Sequence, residues 1–196
     1  MTSDIRRTSI GAQRNPESRD AILKAATDII TESGLAGFSI EAVARRARAG
    51  KPTIYRWWPS RGALLLAIYE LQKPDLKMPD TGALEEDIFL FLKGLIGHWR
   101  DTPAGAIYRS ILAEAQSNDA SARVVGDYTA GRYHWIGEVL SRNKARGTLA
   151  DDVDADMAGE QIASFAIARL VMHRLDMSDS ELRLAARQFT QGLRKR

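Results

Sequence analysis

The sequence predicts an all-α fold of about nine helices, with a small N-terminal helical module followed by a larger helical domain. Three observations carry that expectation. Apolar residues recur at i, i+3, i+4 and i+7 in one segment after another, the period of helices buried on one face. No segment alternates apolar and polar residues as a half-buried strand does. The stretch 73–81 (KPDLKMPDT) interrupts the pattern with two prolines and marks the boundary between the parts.

Each helix carries its own signals. Asn15-Pro16-Glu17-Ser18 starts the first, Ile22, Ala25, Ala26 and Ile29 form its apolar stripe, and Ser33-Gly34 stops it. Ser39 caps the second, with Glu41 in the first turn and Ile40, Val43, Ala44 and Ala47 on one face. Arg48-Ala49-Gly50 forms a tight turn. The third helix runs from Lys51 to about Trp58 and tolerates Pro52 because the first turn needs no N–H there. Pro59-Ser60 breaks and recaps the chain into a fourth helix carrying Leu64, Leu65, Ile68 and Leu71. Five more follow at about 82–100, 103–116, 119–143, 154–174 and 178–194.

Composition narrows the function classes. A chain of 196 residues with 44% hydrophobic and 27% charged residues is a folded, soluble protein. Without cysteine it has no disulfide, thiolate metal site or cysteine nucleophile. No secretory h-region is present, and the most apolar window, 162–172, is too short for a bilayer and contains Arg169. A cytoplasmic location without a membrane partner is expected. No Gly-rich phosphate loop, nucleophile elbow or paired-His motif occurs, so no enzyme activity and no cofactor are expected. The run 151–156 (DDVDAD) has calcium-loop spacing but has Met157 and Ala163 where that loop needs Gly and Glu, so no metal is expected. Charge is uneven: residues 1–61 hold eleven Lys/Arg against six Asp/Glu, +5, within a total of +3. A basic N-terminal third suggests a polyanion contact.

The informative constellation lies at 39–61. Two short helices joined by a Gly-containing turn are the helix-turn-helix signature, whose second helix enters the DNA major groove by its N-terminal end. In GKPTIYRWWP, Ile54 and Trp58 are four apart and share one face, the buried one. Lys51, Thr53, Tyr55, Arg56 and Trp57 cannot share that narrow face. They contact DNA or form a solvated surface.

The run Ser39–Leu66 (SIEAVARRARAGKPTIYRWWPSRGALLL) resembles the DNA-binding segment of the TetR (tetracycline-repressor-like) family of bacterial transcription regulators. Ser39, Ala47, Thr53, Ile54, Tyr55, Trp58, Ser60, Arg61 and Leu64 occupy the positions of that pattern. Arg48-Ala49-Gly50 replaces the usual Gly-Val-Ser turn, which strains Arg48 and weakens the cap of the third helix. The resemblance implies a domain at 16–72 that binds double-stranded DNA, preceded by a basic tail at 1–15. It implies DNA contacts from Ser39, Arg48, Lys51, Pro52, Thr53, Tyr55, Arg56, Trp57 and Arg61. Ser39, Tyr55 and Arg61 would grip phosphates, and Lys51, Thr53 and Trp57 would face base edges or sugar. Arg6, Arg7 and Arg14 form either an arm on DNA or a solvated tail.

For 73–196 the resemblance implies dimerisation and a pocket for an unknown small-molecule effector, the whole acting as a repressor on a palindromic operator. The alternative is a helix-turn-helix protein without an effector. Ile162, Phe165, Arg169 and Leu170, with Leu182, Ala186, Phe189 and Leu193, are the candidate dimer interface, because helix 154–174 is apolar nearly all round. The same residues would otherwise complete a monomer core. His98, Trp99, Tyr108, Arg109, Tyr128, His134 and Phe165 are the candidate ligand residues, aromatic with a few polar groups.

Overall fold

The computed structural model describes residues 15–72 and 79–193. The basic tail with Arg6, Arg7 and Arg14, and most of the proline-rich boundary, lie outside the described residues. Among those described there are nine α-helices, one short 3₁₀ turn and no β-strand. No helix among them is long and apolar enough to cross a membrane.

The chain divides into two compact units, the first ending at Trp57 and the second beginning at Trp58. In the first, α1 spans Pro16–Ser33, α2 Ile40–Ala47 and α3 Lys51–Trp57. The caps are those that the residue types demand. Asn15 accepts from Glu17 N at 3.0 Å, Ser39 from Ala42 N at 3.1 Å, and Gly34 closes α1 at φ 64°. Only the 3₁₀ turn Leu35–Gly37 had no sequence signal. Ile22, Ala26, Ile29, Ile40, Val43 and Ile54 are buried. Arg46 joins α2 to α1 through a two-pronged pair with Glu32 at 2.5 and 2.6 Å.

The second unit holds α4 (Arg61–Leu71), α5 (Leu84–Asp101), α6 (Ala104–Ala115), α7 (Asp119–Ala145), α8 (Ala155–Val171) and α9 (Asp179–Leu193). The units divide before α4, whereas the prolines at 74 and 79 suggested a boundary after it. The reason is packing: α4 has six apolar side chains at 0–6% exposure and lies against α6 and α7. Helices α7 and α8 approach closely at Gly137 and Gly159. A Cβ on Gly159 would fall 2.9 Å from the Tyr133 carbonyl oxygen, so only glycine fits.

This packing corrects four of the expected dimer residues. Ile162, Leu170, Leu182 and Ala186 are 0–3% exposed within one chain and belong to its core. Helix α8 packs on α7 and, over shorter stretches, on α5 and α6, which accounts for its buried stripe. Helix α9 lies on α5, tied by Arg183 to Glu86 and Lys93 to Asp179, both at 2.6 Å. Phe165, Arg169, Phe189 and Leu193 remain half-buried.

Candidate nucleic-acid interface and aromatic cavity

The faces of α3 follow from its spacing. Ile54 is fully buried and Trp58, just past the helix end, is 6% exposed. Lys51 and Tyr55 form one exposed i, i+4 pair, and Pro52 and Arg56 form a second. Together they make a ridge along the outer side of the helix, where Tyr55 is 46% exposed. Thr53 and Trp57, also four apart, flank that ridge and are half-buried. The expectation of an exposed Trp57 is therefore corrected: its indole nitrogen is shut off from solvent.

Two neighbours tune the ridge. Lys51 pairs with Glu41 in the first turn of α2, which raises the lysine pKa and lowers that of the carboxylate. The ammonium is thus charged and held at the tip of α3, and DNA would compete with Glu41 for it. Arg48 closes α2 in the left-handed conformation, φ 52° and ψ 38°, with Ala49 N donating to Ala44 O at 3.0 Å. This is the helix end that glycine normally occupies, and it leaves the Arg48 side chain exposed. Ser39 is half-buried, and its hydroxyl oxygen is used as the α2 cap.

Arg61 is the third residue expected on a phosphate. It lies in the second unit and donates to Ser110 at 3.1 Å and Glu114 at 3.4 Å. The same Glu114 carboxylate accepts from Gly62 N and from Ser121 Oγ, both at 2.8 Å, and the Ser60 hydroxyl lies 2.8 Å from Ser121 Oγ, which has a lone pair left to accept its proton. The start of α4 is thereby fastened to α6 and α7. A Cβ on Gly62 would fall 2.8 Å from Ser121 Oγ, which is why the chain has no side chain there.

The second unit also contains a cavity of about 40 Å³, and four of the seven expected ligand residues line it: His98, Trp99, Tyr108 and Tyr128. The other three do not. Arg109 is outside the lining, and His134 is exposed with Nδ1 at 3.4 Å from Asp156. Phe165 instead packs edge-on against Phe189 at 5.8 Å. Tyr69 of α4, Phe91 and Leu95 of α5, Thr129, Arg132, Tyr133 and Ile136 of α7, and Ala163 and Ile167 of α8 complete the wall. Their i, i+3, i+4 and i+7 spacing on α7 was visible, but nothing local in sequence joins α7 to Tyr69.

The aromatic part is ordered. Tyr108 stacks on Tyr69 (5.1 Å, 21°) and on Trp99 (5.6 Å, 18°), while Tyr128 stands edge-on to Tyr69 (6.0 Å, 86°). Trp99 Nε1 donates to the Tyr69 hydroxyl at 2.9 Å. Burial pushes the hydroxyls of Tyr69, Tyr108 and Tyr128 above the usual phenol range, although Arg132 opposes this in each case. They are neutral donors at physiological pH. Burial lowers the pKa of His98 and keeps its imidazole neutral.

Comparison with known proteins joins these two features. Residues 22–68 match the family described as bacterial regulatory proteins, tetR family, and residues 78–189 match the tetracyclin repressor-like C-terminal domain. The chain belongs to the TetR family. It is a DNA-binding helix-turn-helix transcription regulator, as the resemblance implied. An uncharacterised HTH-type transcriptional regulator of Bacillus subtilis, YdeS, is 25% identical over 175 residues, 88% of each chain. The DNA-binding transcriptional repressor TetR of Mycobacteroides abscessus is 25% identical over 158 residues, 78% of this chain and 81% of that one. Among solved structures, the TetR family regulator SCO0332 superposes with a TM-score of 0.74 at 27% identity, over 91% of this chain and 100% of the other. That TetR-family architecture agrees with the all-α reading of the sequence.

Proposed function

We propose that this TetR-family regulator is a repressor that binds a palindromic operator as a dimer and is released by a small molecule held in the aromatic cavity. The cavity is the observation that carries the effector part. Its wall gathers aromatic side chains from α4, α5, α6 and α7 around a few polar groups, the composition of a small-molecule site. Repression is supported by the likeness to the M. abscessus repressor.

DNA binding is assigned to the α3 ridge, with Lys51 at the tip, Tyr55 and Arg56 along it and Arg48 beside it. Lys51 is the group best suited to a guanine edge, Tyr55 to a phosphate, and Thr53 to a thymine methyl from the flank. Dimerisation is supported by an outward stripe on α8 that the chain itself leaves uncovered. Met157, Gln161, Ser164, Ala168 and Met172 are all exposed at helical spacing, and Leu184 and Gln188 are exposed on α9. Met157, Met172 and Leu184 are 53–69% exposed, so a second copy has apolar area to cover. Phe165, Arg169, Phe189 and Leu193 border that face.

Sedimentation and footprinting test the proposal together. A dimer protecting an inverted repeat with half-sites about one helical turn apart, ~34 Å, is expected. Met172→Glu with Leu184→Glu should yield monomers that no longer protect it. A wild-type monomer, or protection by the monomeric variant equal to wild type, would contradict the assignment.

A further inference from the structure

The tip of α3 has a second charged group beside it, and its sign is negative. Between residues 39 and 61 the chain holds six Lys/Arg and a single acidic residue, Glu41. That residue stands in the first turn of α2, where its Oε1 accepts from Lys51 Nζ, and both side chains are more than half exposed. A carboxylate among groups that meet DNA repels the phosphates, whose charges recur about every 1.7 Å of duplex. In the free protein the positive end of α2 and the pair with Lys51 offset part of that cost. On DNA, a carboxylate leaving water needs donors as well.

Competition for the ammonium need not break the pair. A lysine ammonium has three N–H donors and a carboxylate about four lone-pair sites, so one shared bond leaves two donors and further acceptor sites. In the major groove a G·C pair presents two neighbouring acceptors, guanine N7 and O6, beside one donor, cytosine N4. An A·T pair sets its donor between two acceptors instead. Side by side, Lys51 and Glu41 offer the complement of the G·C pattern. We propose that Glu41 is a specificity-determining residue that reads the same base pair as Lys51, the ammonium donating to guanine O6 and N7 while the carboxylate accepts from cytosine N4. This rests on the assignment of Lys51 to a guanine edge. Neutral as a unit, the pair adds selectivity with little counterion release.

Fluorescence anisotropy of the full chain tests this on a duplex that the wild type selects from a randomised library, with each G·C pair altered in turn. 7-Deazaguanine removes the N7 acceptor, and N4-methylcytosine removes the groove-facing N4 donor while keeping the base pair. At one and the same G·C pair, each change is expected to weaken wild-type binding roughly tenfold. Glu41→Ala should respond to N4-methylcytosine by less than about twofold yet keep the response to 7-deazaguanine, which Lys51→Ala should lose. Glu41→Ala should also bind random duplex more tightly, because a negative charge is gone, so its preference for the selected site falls. Glu41→Gln keeps an acceptor and should retain part of the N4-methyl response. An N4-methyl response absent from wild type, or as large in Glu41→Ala, overturns the assignment of Glu41. So does a Glu41→Ala effect equal on every duplex, which makes the carboxylate an ion-pair partner only. An N4-methyl response without a 7-deazaguanine response overturns the Lys51 reading, and with it the shared base pair, and leaves Glu41 on cytosine.

Discussion

Glu114→Ala is the most informative single perturbation of the second unit. The carboxylate accepts 2.8 Å hydrogen bonds from Gly62 N and Ser121 Oγ and a longer contact from Arg61, with only 18% of its side chain exposed. Hydrogen bonds to a charged group are worth about 1.5–3 kcal/mol each, and they do not add fully when they share one acceptor. The Arg61 pair is discounted because its side chain is 33% exposed. Losing two good bonds and leaving a backbone N–H and a hydroxyl unsatisfied should cost about 3 kcal/mol. For a chain of this size that lowers Tm by roughly 6–12 °C, at about 2–4 °C per kcal/mol. Differential scanning calorimetry measures it directly. Glu114→Gln keeps an acceptor oxygen for Gly62 N and should recover at least half of the loss. A loss below about 1 kcal/mol for Glu114→Ala would refute the claim that this carboxylate fastens the start of α4.

Further expectations concern individual elements. Ile54→Ala should destabilise the first unit by about 2–5 kcal/mol in urea titrations, because Ile54 is fully buried. Tyr55→Ala should stay within about 0.5 kcal/mol of wild type yet weaken operator binding. Arg48→Gly relieves a left-handed arginine at a cost in chain entropy, so stability should hold or rise by up to about 1 kcal/mol while DNA affinity falls. His98 has a depressed folded pKa, so the unfolded chain binds the extra proton first. Stability from this group is fully present above the unfolded value of about 6.5 and is lost as pH falls below it. Stability measured against pH should show a smaller acid loss in His98→Phe, and an identical slope in both proteins would contradict the assignment.

The helices were legible because their signals are local. Asn15, Ser39, Ser60 and Asp154 are each a side-chain cap in the structure and each precedes an apolar run in the sequence. The split of Ile54 from Lys51 and Tyr55 was legible too, since a helix places i and i+4 on one side. What stayed hidden depends on distant partners. Nothing local to Arg61 signals that Glu114, fifty-three residues away, accepts from it. Trp57 looked exposed because a helical wheel has no neighbours to receive a large ring. Tyr69 reaches the cavity wall only through the packing of α4 on α6 and α7, which are distant in sequence. The buried stripe of α8 looked like a dimer face because sequence shows that a helix is apolar and not what covers it.

Fluorescence anisotropy of a labelled inverted-repeat duplex, titrated across a salt series, tests the account at its centre. Log K should fall linearly with log salt, Arg56→Ala should reduce the slope by about 1, and Arg61→Ala should leave the slope unchanged. A salt-independent affinity, or a slope reduced by Arg61→Ala and untouched by Arg56→Ala, would show that the α3 ridge is not the DNA-binding surface.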